Sequence, residues 1–558
     1  MLRANEIMKL AADITSWWHT KRTWWHLATL CVILLYVYLS VANAWVVDES
    51  YITFRTIDNF LHGYGLTWNV GERVQGYTHP MWMFMVAVGA FFSSEFHFTV
   101  IAVSLLCSLG VLAFSGWFFS SGASKGQVVQ GWKMPLFVLL LCSSKAYIDF
   151  STSGLENPLS HLLAALFVVR LLQLLEREGP LSESNLLGLY LIASISGFNR
   201  LDTVLLYAPS LLYCSVISMR SLRFRLLRVA VVGTLPVTLW MLFSTVYYGF
   251  PFPNTYYAKL AASGANSSAM LHFGLNSFRN SWSWDLVTQL TIVVGIVTSV
   301  VREQQNGGSR VRMPPLMLVV GVVLYLAYVL FNAASATHMS GRFFSVPFVI
   351  AALVTVHALD SRQLAVALVA VAMFFGATSD RASLKFGTKL YAKGFDAPSV
   401  IDTKLAVYEE GAALLNYKPG VVFPNHDWYD AGLRFRASDK KVMVYSTPGY
   451  FGYAAGPDKW VIDGMGLCDP LLGRMPGSPH PNQKGGHYIR ELPEGYLETF
   501  TKPGTQLADP SLQQYFGIIV SITRGPIFRW QRFQHIWEMN LGRHQHLLNE
   551  YLSRKRSG

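Results

Sequence analysis

Runs of apolar residues dominate the first two thirds of the chain. They fall near 24–47, 80–94, 98–120, 134–150, 157–175, 186–198, 204–219, 227–248, 285–301, 313–332, 345–358 and 363–377. Many approach the ~20 residues a helix needs to cross a bilayer, and all exceed the roughly 10 of a barrel strand. Backbone amides inside lipid must bond within their own segment, so these runs are read as helices. The run at 80–94 is short for a span and is expected to be tilted, partly interfacial or re-entrant, which leaves about eleven or twelve helices. The first run extends from Trp24 to about Val47 with no small-residue cleavage site after it. It is longer than the ~7–15 residues of a signal-peptide core and reads as a membrane helix.

The pattern changes after residue 377. Charge rises, long apolar runs stop, and Gly, Pro and aromatic residues become frequent. Strand-like runs at Lys441–Tyr445 and Lys459–Asp463 are separated by turn residues, and helical patterning returns near 403–416 and 532–553. Residues 1–377 are expected to form a transmembrane domain and 378–558 a small soluble α/β domain.

Basic residues set the orientation. Arg3, Lys9, Lys21 and Arg22 precede the first run; Lys125 and Lys133 share one loop; Arg220, Arg223, Arg225 and Arg228 share a second; Arg302, Arg310 and Arg312 share a third. Placing all of them in the cytoplasm follows the positive-inside rule. Loops 48–79, 151–157, 199–203, 249–284 and 332–344, and everything after 378, then face the periplasm of a bacterial inner membrane. The net charge of +12 is absorbed by the cytoplasmic loops, and no basic–aromatic array points to nucleic acid. With 52% hydrophobic and only 14% charged residues, much of the surface is expected to face lipid. Four of the five cysteines lie in apolar runs and Cys468 stands alone beyond them, so neither a disulfide framework nor a zinc cluster is expected.

The stretch from Val47 to Trp82 carries the densest chemistry. Asp48 and Glu49 follow the first membrane helix directly, an arrangement suited to a raised carboxyl pKa or a bound cation. Phe54, Ile57, Leu61 and Tyr64 then recur at helical spacing, with Arg55, Asp58 or Asn59, and His62 opposite, which predicts a helix lying in the interface plane. Gly63, Gly65 and Gly71 break it, and Glu72, Arg73, Tyr77 and His79 follow.

This stretch resembles the first periplasmic loop of bacterial GT-C arabinofuranosyltransferases, the group that includes mycobacterial terminal arabinofuranosyltransferases and pilin arabinosyltransferases. The matching residues are Asp48-Glu49-Ser50-Tyr51-Ile52, Arg55, and the run from Gly63 through Gly65, Asn69, Gly71, Glu72, Val74, Gly76 and Tyr77 to Thr78. Glu49 stands where the family more often has Asp. Ser153-Gly154-Leu155-Glu156-Asn157-Pro158 resembles a Ser-Gly-Leu-Glu-x-Pro element, and Asn199-Arg200-Leu201-Asp202 a Thr-Arg-Pro-Glu turn without its Pro. Tyr247-Tyr248-Gly249 with Pro253-Asn254-Thr255 and Lys259, Gly341-Arg342-Phe343, and the Asp463–Pro470 run resemble further elements. The family's Gly-Asp-Trp before Gly-Arg-Phe is absent, since Ala336–Ser340 reads Ala-Thr-His-Met-Ser. All of these elements fall in loops assigned outward from Lys and Arg alone.

The resemblance implies a GT-C glycosyltransferase that moves D-arabinofuranose from a polyprenyl-phosphate donor to a glycan or pilin acceptor. Asp48 is then expected to act as general base, with Glu49 supporting it or exchanging roles. Arg55, Arg73, Lys259 and Arg342 become candidate phosphate partners. Asn69, Glu72, Tyr77, His79, Glu156 and Arg200 become candidate substrate contacts, with Arg200 also placed to pair with Asp202. Asp463 and His487 are expected to shape the acceptor side or the fold. Mg²⁺ or Mn²⁺ between the acids and a phosphate is compatible with the sequence, although no dedicated metal cage is present. The absence of a Rossmann or P-loop pattern agrees with a lipid-linked donor. The competing reading is a transporter or flippase of a lipid-linked saccharide, which would require neither the acid-rich first loop nor the large outer segment and commonly carries inverted repeats not seen here.

Overall fold

The computed structural model describes residues 24–121, 131–175, 181–262, 264, 266–305, 314–332, 341–379, 404–477 and 486–557. Arg3, Lys9, Lys21, Arg22, Lys125, Arg310, Arg312 and the Ala336–Ser340 stretch lie outside these. Over its described residues each apolar run is largely helical, although the first helix ends at Ala42 and the 134–150 run is broken at Ser144. Among the described residues six helices are long and apolar enough to cross a membrane: Trp24–Ala42, His97–Ser120, Asn157–Leu174, Leu201–Leu222, Arg225–Tyr247 and Leu286–Gln304. The shorter apolar helices Lys133–Ser143, Pro315–Phe331, Arg342–Ala358 and Arg362–Thr378, with Glu183–Asn199, complete the bundle. Its core is built from residues such as Tyr36, Phe137, Phe167, Tyr207 and Phe348.

The short run at 80–94 forms the helix Pro80–Ser93, which at ~1.5 Å per residue is about 21 Å long. It does not carry the chain to the other face. Just before it, His79 Nε2 lies 3.0 Å from Thr53 Oγ1; just after it, His97 Nδ1 lies 2.8 Å from Tyr51 Oη. Both ends therefore meet the same first-loop helix. The next helix starts where the Glu95 carboxylate accepts the His97 and Phe98 amides at 2.6 and 2.8 Å. The basic turns gather at one face: Arg228 pairs with Glu183, Lys133 donates to the His357 carbonyl at 2.8 Å, and Arg302 pairs with Asp360 at 2.8 Å. The outer-loop motifs gather at the opposite face.

The first-loop helix, Asp48–Leu61, differs from the interfacial helix expected from its pattern. Ten of its residues are buried, Arg55 among them. Its apolar residues Tyr51, Phe54 and Ile57 pack with Trp82 and Phe96 and also with Tyr408 and Tyr450 of the C-terminal segment, whose backbone carbonyls further cover Arg55, so the helix is enclosed by protein. The covering unit is a β–α–β turn: strand β1 (Val442–Tyr445) and strand β2 (Trp460–Asp463) pair in parallel, Val442 opposite Trp460, with the helix Pro448–Ala455 crossing between them. These strands coincide with the two runs read from sequence. The 532–553 pattern resolves into helices Trp530–Asn540 and Gln545–Ser557, interrupted at Gly542, whose φ is 73°.

The hydrophobic clusters of the C-terminal segment are shared. One joins Tyr408, Ala412 and Tyr450 to Trp45, Tyr51, Phe54 and Trp82. A second joins Phe435, Phe451 and Leu467 to Ile52 and Trp68 of the first loop. A third, built around Tyr496, Phe516 and Ile519, takes in Phe250 from an outer loop. The motif-bearing loops and the C-terminal segment thus fold as one layer on the helix bundle.

Candidate active site

Six loop elements meet at a cavity of about 370 Å³ between this layer and the bundle, with Glu49, Thr53, Tyr77, His79, Arg200, Asp202, Lys259 and Arg342 on its polar wall. Leu201, Leu205, Phe252, Tyr256, Leu260, Tyr328 and Val329 form an apolar wall, four of them from the ends of two membrane helices.

Glu156 organises the polar side from beneath. Its carboxylate is fully buried. Arg342 Nη2 donates to both of its oxygens at 2.6 and 2.8 Å, Arg200 Nη1 to Oε1 at 2.5 Å, and His79 Nδ1 lies 3.1 Å from Oε2. Arg200 also forks onto Asp202 at 2.7 and 2.9 Å. Burial alone would push the Glu156 carboxyl up, but Arg342 and then Arg200 outweigh it and hold it well below the usual carboxylate range. The two guanidiniums lie against the ring of Phe343, with centroid distances of 4.7 Å for Arg200 and 5.8 Å for Arg342. Local backbone explains why these residues arrive here. Gly341 has φ 81°, and a Cβ on it would stand 2.8 Å from the Ala146 Cβ; only glycine turns the chain there so that Arg342 reaches Glu156. Gly154 has φ 82° and presses against Ser50 and Val46, locking the Ser-Gly-Leu-Glu turn onto the first-loop helix.

Lys259 sits on a wide helical turn, Tyr257–Ala261. The preceding Asn254 fixes it: its side-chain amide donates to the carbonyls of Gly466, Leu467 and Asp469 at 2.8, 3.2 and 2.9 Å, and its backbone amide donates to Gln75 O at 2.9 Å. One asparagine thus ties three of the sequence motifs together. Burial lowers the Lys259 ammonium to about 8, against the opposing pull of Glu49.

The acidic pair divides. Glu49 lines the cavity, and its Oε2 is buried with no hydrogen-bond partner among the described residues. Asp48 turns the other way and receives the Tyr450 and Gly449 amides at 2.6 and 3.2 Å, at the N-terminus of the Pro448–Ala455 helix. Burial, and then the Glu49 charge, push its carboxyl up to about 7. The backbone passes so closely that a Cβ on Gly449 would fall 1.8 Å from the Asp48 carbonyl oxygen.

Tyr77, His79, Arg200, Lys259 and Arg342 meet at the cavity as candidates from the sequence, with Glu156 directly behind them. Arg55, Asn69, Glu72 and Arg73 lie outside the cavity lining. Arg55 donates to the carbonyls of Trp68, Lys459 and Gly452 and to Asn69 Oδ1. Asn69 extends the edge of strand β2, donating to Val461 O at 2.9 Å and accepting its amide at 3.2 Å. Glu72 pairs with Arg524 at 2.8 Å. Arg73 donates to the carbonyls of Tyr247, Ile522 and Gly525. These four side chains hold the C-terminal layer to the first loop. Asp463 accepts the Met465 and Cys468 amides at 2.9 Å each and shapes its own turn; neither it nor His487 lines the cavity. Sequence reasoning missed Thr53, whose hydroxyl meets His79; its position four residues after Glu49, one helical turn on, was the available signal. Among the described residues no three His, Cys, Asp or Glu side chains group as a metal site.

Fold and site together define a polytopic helical membrane protein with a polar cavity where its motif-bearing loops meet the ends of apolar helices. Sequence similarity to a curated protein extends over half of the chain. Over 287 residues the chain is 27% identical to the terminal β-(1→2)-arabinofuranosyltransferase of Mycobacterium tuberculosis (strain ATCC 25618 / H37Rv), a match covering 50% of this chain and 45% of that protein. The chain therefore spans about half the length of the curated relative it matches. The crystal structure of an Archaeoglobus fulgidus oligosaccharyltransferase in complex with zinc and sulfate is similar over 78% of this chain and 62% of that one, with TM-score 0.46 and 11% identity. No protein-family model matches the chain.

Proposed function

We propose that this protein is a membrane glycosyltransferase of arabinofuranosyl type. In this reading it moves D-arabinofuranose from a polyprenyl-phosphate donor to a hydroxyl of a glycan or pilin acceptor on the periplasmic face of the inner membrane. The observation that carries the reading is the two-sided cavity: an unpartnered carboxylate oxygen and three cations on one wall, apolar span ends on the other. The apolar wall suits the prenyl chain and the polar wall the sugar phosphate. The likeness to the mycobacterial arabinofuranosyltransferase supports the sugar, and the collection of basic turns at the opposite face supports the orientation.

In this mechanism the acceptor oxygen forms a bond to the anomeric carbon as the bond from that carbon to the phosphate oxygen breaks. The proton goes to Glu49 Oε2, and the electron pair leaves with the phosphate. Lys259, Arg200 and Arg342 stabilise the leaving charge, the arginines pre-oriented by Glu156 and Asp202. Asp48 positions Glu49 by anchoring the start of its helix. Mg²⁺ or Mn²⁺ at Glu49 would add positive charge beside the phosphate, since such ions need few protein carboxylates when phosphates complete their shell.

The test is transfer of labelled pentose from synthetic polyprenyl-phospho-arabinofuranose by the purified protein. Wild type is expected to yield product or donor hydrolysis, and Glu49→Gln to lose it while still binding donor. A folded wild type that neither turns over nor binds this donor across several acceptors overturns the assignment and favours the transporter reading.

A further inference from the structure

A second surface is built for contact with something outside the chain. The helix Trp530–Asn540 has two opposed sides. Arg532 and Ile536 are buried, whereas Trp530, Trp537 and Leu541, with Phe528 just ahead, are 76%, 65%, 56% and 84% exposed. Positions 530, 534, 537 and 541 fall on one stripe of the helix, so two tryptophans and a leucine flank Gln534 on a single outward face. Arg529 and Arg543, both exposed, bracket it.

The inward side fixes where this face stands. Arg532 donates through Nη1 to Val246 O at 2.7 Å and through Nη2 to Tyr247 O at 2.8 Å, the last turn of the Arg225–Tyr247 span. Asn540 donates to Gly249 O at 2.8 Å, two residues beyond that span. The span carries its own exposed stripe of Leu235, Leu239, Leu242 and Val246, the lipid-facing side of a membrane helix, and this stripe ends at the residue Arg532 grips. The aromatic face thus continues a lipid-facing surface at the height where the hydrocarbon gives way to headgroups. Tryptophan concentrates at that level because its ring is amphipathic, and arginine there meets lipid phosphates.

We propose that Phe528, Trp530, Trp537 and Leu541 form an interfacial anchor that docks the C-terminal layer onto the bilayer surface, with Arg529 and Arg543 on anionic headgroups. The occupant of the face is phospholipid.

The experiment uses the full chain in proteoliposomes of phosphatidylethanolamine and phosphatidylglycerol. A bimane label is placed at Gln534→Cys in a Cys31→Ser background, the other four cysteines being buried. Nitroxide on lipid headgroups is expected to quench the label several-fold more than aqueous iodide does, and adding Trp530→Ser and Trp537→Ser to reverse that order. An unchanged melting temperature shows that the serine variants fold, as two exposed side chains allow. A label open to iodide and insensitive to nitroxide overturns the proposal. A label shielded from both also overturns it, because protein rather than lipid then covers the face, and so does quenching that ignores the serine substitutions.

Discussion

Glu156→Gln is the perturbation for which the structure gives the clearest magnitude. In the wild type the charges of Glu156, Asp202, Arg200 and Arg342 cancel within one buried cluster. The amide keeps the shape but removes one negative charge, leaving a net positive charge out of water. It also replaces an acceptor with a donor. If the nitrogen takes the Oε1 position it faces both Arg342 and Arg200; at Oε2 it faces Arg342 and His79. Breaking a buried ion pair on one side costs about 3–5 kcal/mol, a large share of a typical folding stability of about 5–15 kcal/mol. The variant is expected to melt several degrees lower in detergent and to lose transfer activity. Arg342→Gln alone should be similarly damaging, but the double variant restores neutrality and leaves the Arg200–Asp202 fork intact. Its stability should exceed the sum of the single losses by about 1–3 kcal/mol, while activity stays lost. Thermal unfolding of the four proteins, run with the donor-transfer assay, reads both effects. Strictly additive losses, or a Glu156→Gln protein that melts with wild type, would refute Glu156 as the counter-charge of the site.

Other expectations concern protons and backbone. Lys259 is protonated below about 8, so donor affinity is expected to fall as pH rises through that value; Lys259→Arg, which stays charged, should carry the affinity to higher pH in a profile of donor KM. Folded Asp48 keeps a proton up to about 7, where the unfolded chain releases it near 3.8. Between those values the folded state binds more protons, so its contribution to stability falls as pH rises. Asp48→Asn should flatten that part of a stability–pH curve. Gly341→Ala forces a side chain into a left-handed backbone position costing about 1–2 kcal/mol and against Ala146; it should lower the melting temperature and raise donor KM by displacing Arg342.

The helices were legible because lipid imposes a simple rule on sequence: long apolar runs cannot be anything else. The two strands were legible from β-branched runs between turn residues. The interfacial placement of the first-loop helix was misread because periodicity reports that one face is apolar and the other polar, not what covers the polar face. Arg55 reads as a solvent-facing or phosphate-binding cation, whereas its guanidinium is satisfied by carbonyls some 400 positions away. The same limit applies to Arg73 and Glu72. Glu156, Arg200 and Arg342 were legible only through the resemblance of their loop motifs to family elements, not from periodicity or charge. The division of labour between Asp48 and Glu49 was not readable, since adjacent residues on a helix point about 100° apart and only the packed neighbours decide which of them meets the cavity.

The bonds from Arg55 to Gly452 and Lys459 span 397 and 404 positions of the chain. At ribosomal rates of about 5–20 residues per second, roughly 20–80 seconds separate the synthesis of the two partners. During that interval Arg55 has no carbonyl cover from the C-terminal segment, and the cavity has no Leu467 in its wall. The cavity wall at Leu467 and the cover over Arg55 are therefore late products of biogenesis, completed only when the last third of the polypeptide arrives. A nascent chain halted before residue 449 carries the membrane helices without the backbone groups that close over Asp48 and Arg55.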